Sequence, residues 1–307
     1  MKTFLINVVL FSVLLLISMG FVFFIADGKS DPYYLRFTTP RQYSMIIGTS
    51  RAAQGLQPAA FDAVIYKDHE HHFYNYAFTL FDSPYGPAYL ESIQKKLDPA
   101  VKDGIFLLAV DPWSISSPSE QPDDSVQFRE NKGLMGKTTY VNAKPNIQYL
   151  VESFPEPYIN IIRKWKSTTD LFLHNDGWFE VDVPMDSTSI AKRLDFKLKE
   201  YRKDYLQVYK FSTVRYNYLL KTILWLKDHG KVFLVRLPVS PKMFAMEDEL
   251  MPGFDKMIDT VTELTKVDYL DFKKMENPYQ YVDGNHLYKS SGWQVSVTIA
   301  RWIAEKK

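Results

Sequence analysis

Tyr43-Ser44-Met45-Ile46-Ile47-Gly48-Thr49-Ser50-Arg51 is the stretch on which the fold turns. Tyr43–Ile47 is an apolar run of strand length, and it stops abruptly at Gly48-Thr49-Ser50. A run of this kind reads as a buried strand followed by a turn into a helix. It leaves a serine at the strand's carboxyl end, and in open α/β sheets that edge is where ligands bind.

Working outward, strands and helices alternate. Pro58–Tyr66 has helical spacing, with Phe61, Val64 and Ile65 on one face; His72–Ala77 reads as a second strand and Pro87–Leu97 as a helix. Ile105–Val110 is all apolar, as expected of a parallel strand covered on both faces. Further on, Val208–His229 reads as a long helix ended by Gly230, Lys231–Leu237 as a strand stopped by Pro238, Phe254–Thr265 as a helix and Val267–Phe272 as a short last strand. Ser290 or Ser291 is expected to cap the terminal helix. The alternation predicts a three-layer, doubly wound parallel α/β sheet of the flavodoxin-like kind. The segment from about Ser114 to Tyr205, rich in Ser, Pro, Asp, Asn, Lys and aromatics, breaks the pattern. It is expected to be an irregular, partly helical insertion over one edge of the sheet.

Phe4 to Ile25 is an almost unbroken apolar run, interrupted only by Asn7, Ser12, Ser18 and Gly20. That length crosses a hydrocarbon core of ~30 Å as a helix. It exceeds the apolar region of roughly 7–15 residues of a cleaved signal peptide, and Phe24-Ile25-Ala26 is a poor cleavage site. The expected organisation is an anchor over 1–26, a tether over 27–40 and an α/β domain over 41–307 carrying the insertion at about 114–205. Lys2 precedes the span and Lys29, Arg36 and Arg41 follow it, so flanking charge does not fix the orientation. A single N-terminal span before a large domain is expected to leave the domain outside the membrane.

The chain has 307 residues, 46% hydrophobic, with a formal net charge of +1 and no cysteine. The balanced charge gives no basic stripe for nucleic acid. Without cysteine there is no thiol nucleophile and no Cys-zinc site. The run Asp68-His69-Glu70-His71-His72 lacks a fourth ligand at metal spacing and reads as a solvated turn, so neither metal nor cofactor is expected. Asn175-Asp176-Gly177-Trp178 reads as a hairpin or loop turn. The aromatics around it (Trp178, Phe179, Phe172 and Trp165) have two readings, a sugar-binding groove or core packing of the insertion.

Asp283-Gly284-Asn285-His286 lies before the last helix and places an acid three residues ahead of a histidine. Serine chemistry needs a hydroxyl, an imidazole to take its proton, and a carboxylate to hold the imidazole tautomer. Ser50, His286 and Asp283 supply these types in the order Ser…Asp…His. Each has a plainer reading: Ser50 as a helix cap, and the loop as a turn. His286 could alternatively be oriented by a backbone carbonyl, giving a dyad.

These blocks resemble the SGNH (GDSL-like) hydrolase superfamily. More narrowly, they look like its membrane-anchored bacterial branch, whose first block reads Gly-Ser/Thr-Ser-Arg. Gly48-Thr49-Ser50-Arg51-Ala52 with Gly55-Leu56-Gln57-Pro58 matches the nucleophile block, Phe73-Tyr74-Asn75-Tyr76-Ala77 the second, and Asp283-Gly284-Asn285-His286-Leu287 the last. Two departures stand out: Ala77 replaces the second-block glycine, and Ala109-Val110-Asp111-Pro112-Trp113 replaces Gly-x-Asn-Asp, removing the usual side-chain amide of the oxyanion hole. The resemblance implies Ser50 as nucleophile and His286 as base. Oxyanion donors would come from the Ser50 and Ala77 amides, with Asn75 or a group from the insertion as a third; the plainer reading of Asn75 is that it satisfies backbone groups at the strand end. Arg51 and Asp111, both at the active edge, stand as groups that contact substrate or pair with each other. The implied activity is that of a serine esterase or O-acyltransferase on acyl, chiefly acetyl, esters of cell-envelope or exported polysaccharide. The implied setting is the bacterial inner membrane with a periplasmic domain, with a membrane-protein partner conceivable. The competing expectation is a non-catalytic scaffold of the same fold that binds a polysaccharide or a membrane partner.

Overall fold

The structure is a computed structural model and describes residues 1–66, 70–165 and 170–306. Helix α1 (Lys2–Phe24) is exposed along nearly its whole length, and its 23 residues rise ~34 Å, long enough to cross a bilayer core. After β1 (Ser44–Ile47) come α2 (Ser50–Gly55), α3 (Pro58–Ile65), β2 (Phe73–Asn75), α4 (Pro87–Lys96) and β3 (Gly104–Ala109). The insertion follows. It holds β4 (Ser116–Pro118), the short helices α5 (Arg129–Lys132), α6 (Leu134–Lys137), α7 (Ile147–Glu152) and α8 (Ile159–Lys164), the hairpin β5 (Leu171–Leu173) and β6 (Phe179–Val181), and α9 (Ser187–Glu200). A π-helical turn over Tyr201–Tyr205 leads to β7 (Tyr209–Phe211), α10 (Thr213–Lys227), β8 (Gly230–Arg236), α11 (Pro241–Leu250), α12 (Phe254–Thr265), β9 (Asp268–Asp271) and α13 (Lys289–Lys306).

The central sheet has the order β2-β1-β3-β8-β9 and every pair is parallel. Successive residues point to opposite faces. Met45, Ile47, Phe106, Leu108, Val232 and Leu234 therefore share one core with Ile93 of α4, Ile223 of α10 and Ile258 of α12. Ile46, Ile105, Leu107, Phe233 and Val235 share the other with Phe61 of α3 and Ile299 of α13. This is the predicted three-layer, doubly wound arrangement. The chain reverses its direction of winding between β1 and β3, and the crevice at such a switch point is where open sheets hold ligands. Ser50 stands at that point.

Among the described residues, segment 114–205 supplies no strand to this sheet. Several local expectations need correction. Residues 27–40 are not a loose tether: a 3₁₀ turn at Tyr34–Phe37 buries Tyr34, Arg36 and Phe37 completely. Arg36 donates to Gly177 O at 2.8 Å and to Asn75 O at 3.4 Å, binding this segment to the β5–β6 turn and the end of β2. The helix read over 208–229 begins only at Thr213, because 209–211 pairs antiparallel with β4 and Ser212 caps the helix, accepting from Arg215 N at 3.2 Å. The last helix starts at Lys289, ahead of both serines; Ser291 Oγ accepts instead from Gln280 N at 2.9 Å. Helix α11 had no strong periodicity to announce it.

Asn175-Asp176-Gly177-Trp178 is indeed a hairpin turn, with Gly177 at φ 83°. The aromatics around it differ in burial and contact, with Phe172 and Trp178 both packed against the His174 ring. Phe179 is buried, Trp178 donates to Gln54 O at 2.9 Å, and Phe172 and Trp165 face solvent. In the histidine run, His71 stacks on Tyr43 with ring centroids 3.7 Å apart and His72 Nδ1 lies 3.0 Å from Asp62; Asp68 and His69 are outside the described residues.

Candidate active site

Gly48 ends β1 where β3 and α2 converge. A Cβ there would sit 2.9 Å from Ala109 Cβ and 3.0 Å from Ala52 Cβ, so only glycine lets α2 come down against the sheet. Its carbonyl accepts from Ser83 Oγ at 2.7 Å and its N–H donates to Tyr89 Oη at 3.1 Å, which fixes the turn. Ser50 opens α2 half-buried, in the first turn, where backbone N–H groups have no intrahelical partner.

The loop 282–286 closes on itself, Val282 N donating to His286 O at 2.8 Å. Gly284 turns it with φ 83°, and Leu194 of α9 packs so closely that a Cβ on Gly284 would lie 2.4 Å from its Cδ1. Arg193 of α9 donates to Val282 O at 2.7 Å. The insertion thus braces this loop.

Across 236 positions of sequence, His286 Nε2 and Ser50 Oγ meet at 2.9 Å. His286 Nδ1 lies 2.9 Å from Asp283 Oδ2, and Asp283 Oδ1 accepts from the amides of Asn285 and His286 at 2.9 Å each. Burial pushes the Asp283 carboxyl up, but the His286 charge and these hydrogen bonds outweigh it and hold it well below the usual carboxylate range. The acid is therefore ionised and aimed at Nδ1, which leaves Nε2 to face the serine hydroxyl. A carboxylate orients the ring; a backbone carbonyl does not.

The other expected site groups are placed differently. Asn75 Nδ2 donates to Ala52 O and Leu56 O at 2.8 Å each, and Asn75 Oδ1 accepts from Ala77 N at 3.1 Å. Both proposed donors are thereby engaged, and the Asn75 side chain clamps α2 to the end of β2. Arg51 and Asp111 are buried and meet each other, Nη1 to Oδ2 at 3.3 Å. Of their two expected uses it is the pairing that is observed. Asp111 Oδ1 also accepts from Ser114 N at 2.9 Å, and burial raises its pKa against the pull of Arg51.

Sequence reading missed a charged network behind Ser50. Glu247 of α11, fully buried, accepts from Arg51 Nη1 through Oε1, and through Oε2 from Arg236 Nη2 at 2.6 Å and Nε at 3.1 Å. Arg236 also reaches Asp255 at 3.0 Å. One signal existed: Glu247 follows Met243 by four residues and Phe244 by three, which puts a carboxylate on the helix's apolar stripe. The network ends at Asn285. Arg51 Nε donates to Asn285 Oδ1 at 2.9 Å, so Nδ2 must face the other way. Asn285 Nδ2 lies 3.3 Å from Tyr201 Oη and 3.3 Å from His286 Nε2. It is a buried side-chain amide held beside the Ser50–His286 pair.

A recess of about 340 Å³ opens beside Asp283, walled by Lys192, Arg193, Phe196 and Lys197 of α9. A second cavity, of about 520 Å³, lies between Phe81, Phe128, Tyr205 and Tyr209; Ser50, Asp283 and His286 do not line it.

No family profile matches the chain, and no curated protein does. Solved structures similar to it include a carbohydrate acetylesterase from Sinorhizobium meliloti, with 12% identity and a TM-score of 0.39, covering 87% of this chain and 100% of that one. Another is an aryl esterase from M. smegmatis in its inhibitor-bound form, with 11% identity and a TM-score of 0.37, covering 87% and 99%.

Proposed function

We propose that the protein is a serine esterase or O-acyltransferase, with Ser50 as nucleophile, His286 as general base and Asp283 as the group that orients it. The observation that carries this reading is the continuous chain Ser50 Oγ–His286 Nε2, His286 Nδ1–Asp283 Oδ2, each link 2.9 Å, at the switch point of a parallel sheet. In the reaction, Ser50 Oγ attacks the acyl carbonyl carbon as its proton passes to Nε2. The imidazolium formed is stabilised by ionised Asp283. The tetrahedral oxyanion is met by the Ser50 N–H at the start of α2 and by Asn285 Nδ2, which takes the place of the amide missing from the block at 109–113. On collapse the leaving alkoxide takes the proton from Nε2, and the acyl group remains on Oγ. Water or a sugar hydroxyl then attacks, His286 again accepting its proton, and as the bond to Oγ breaks Nε2 returns that proton to Ser50 Oγ and the acid or the new ester departs.

The resemblance of the Gly-Thr-Ser-Arg and Asp-Gly-Asn-His blocks supports acyl esters of cell-envelope or exported polysaccharide as substrates. Helix α1 supports placement at the bacterial inner membrane with the domain on the periplasmic side. Labelling the full chain with a serine-directed fluorophosphonate tests the reading. Stoichiometric labelling that disappears in Ser50→Ala is expected. Well-folded protein that takes no label would overturn it in favour of a non-catalytic scaffold that binds polysaccharide or a membrane partner.

A further inference from the structure

Helices α7 and α8 carry apolar side chains on two sides, and the domain core accounts for only one. Inward, Tyr149, Leu150 and Ile161 join the core cluster that also holds Phe23, Ile25 and Ala26. Outward, Ile147 and Val151 lie four residues apart on α7 and are 59% and 61% exposed; Ile159 and Ile162 lie three apart on α8 and are 47% and 44% exposed, and Trp165 just beyond is 42% exposed. Both helices also carry polar residues (Gln148, Glu152, Asn160 and Arg163), so the outward apolar side chains form a second stripe beside the one that meets the core.

What covers this second stripe is indicated by where these helices are fixed. The Tyr158 ring, directly before α8, packs edge-on against Phe23 in the last turn of α1, centroids 5.3 Å apart. Phe154 stacks on Tyr158 at 5.8 Å, and Tyr158 Oη donates to Leu150 O at 2.9 Å, which fastens α7 to the same point. Thr3 to Ala26 contains no charge, so Phe23 stands at the end of the apolar span. The headgroup layer beyond a hydrocarbon core is only about 5–8 Å deep per leaflet, so a ring in contact with Phe23 lies within it. Tryptophan and tyrosine collect at that depth.

We propose that the outer face of α7 and α8 is a seat that sinks into the lipid headgroup layer around the exit of α1, holding the domain flush on the bilayer rather than free on a tether. The inference rests on α1 spanning the membrane. Glu152 and Glu156 stand beside Lys144, Arg163 and half-buried Lys164, so the described charges nearly balance and zwitterionic lipid suffices for the seat.

The chain has no cysteine, so an introduced one is a unique labelling point. The full-length variants Val151→Cys, Ile162→Cys and Arg301→Cys, the last exposed on α13 across the sheet, are labelled with a fluorophore and reconstituted into phosphatidylcholine vesicles with or without brominated acyl chains. The labels at 151 and 162 are expected to lose about twofold or more of their emission in brominated lipid while that at 301 is unchanged. Equal quenching at all three positions, in protein that stays with the vesicles through an alkaline wash, would overturn the seat while leaving α1 as a span. Quenching at 151 and 162 that follows protein density instead of bromination would overturn it in favour of contact with a second copy. Release of the protein by the wash would overturn the span and the seat together.

Discussion

Arg51 Nε donates to Asn285 Oδ1 at 2.9 Å, joining the residue after the proposed nucleophile to the residue before the proposed base. The bond fixes which way the amide points. Asn285 and His286 are chain neighbours, and Arg51 neighbours Ser50, so one contact sets the spacing of both halves of the site. If Nδ2 serves the oxyanion, Asn285→Ala should lower kcat on an aryl acetate by about 10²–10³ with little change in KM, as loss of one oxyanion donor does. An unchanged kcat would remove Asn285 from the mechanism.

Glu247 should matter although it lies behind the site. Removing it leaves Arg51 and Arg236 buried and short of their shared acceptor, and breaking a buried pair in this way costs about 3–5 kcal/mol. Glu247→Ala is expected to lower the urea midpoint sharply, and Glu247→Gln, which keeps an acceptor oxygen, to lower it less. Equal midpoints for wild type and Glu247→Ala would show that the network contributes nothing to stability.

Asp283→Asn should keep the fold yet reduce turnover by up to ~10⁴, because neutral amide no longer stabilises the imidazolium. The same carboxyl carries a pH signature. Its folded pKa is depressed, so its contribution to stability is present above the unfolded carboxylate pKa of ~3.9 and is lost as the pH falls through the folded value. Denaturant curves of wild type should therefore lose more stability than those of Asp283→Asn between neutral pH and pH 3. Parallel curves would contradict the depressed pKa.

Lys96 reports with a slope of the same sign, in a higher pH window. Burial pushes its pKa down to about 6, while Thr39 O and Thr39 Oγ1 at 2.7 Å and Val141 O at 2.8 Å accept from its Nζ. Between that value and its unfolded pKa the unfolded chain binds the extra proton, so stability should rise with pH from about 6 toward 10. Lys96→Met should flatten that rise. A wild-type midpoint that falls over the same interval would refute the assignment.

Gly48→Ala tests the approach of α2 to the sheet. The added Cβ meets Ala109 and Ala52 side chains rooted in β3 and α2, which cannot swing aside, and overpacking of this kind costs about 1–3 kcal/mol. Melting should fall and fluorophosphonate labelling should slow, since Ser50 moves with α2. Undiminished stability and labelling would show slack in the turn.

Much of this was legible in the chain alone. The apolar runs at 45–47, 105–110 and 232–235 are continuous because parallel strands are covered on both faces, and the alternation with helices set the sheet class. The candidate set Ser50, Asp283 and His286 was legible because one of six histidines lies three residues after an acid in a polar loop, and a serine directly follows an apolar strand run. Local turns also declared themselves, as at Gly177. What the sequence could not settle was every group whose role depends on a partner far along the chain. Asn75 and Asn285 are the same residue type, one at the end of a strand and one in a polar loop. Only packing made the first a clamp on α2 and gave the second a buried arginine to point it at His286. Residues 27–40 have the composition of a linker, yet Arg36 finds Gly177 O and Asn75 O and draws the segment into the core. Periodicity and motif record which face of an element is covered. The identity of the covering atom is set by tertiary contact, and here that contact chose which asparagine amide lies beside Ser50 and His286 and where residues 34–37 come to rest.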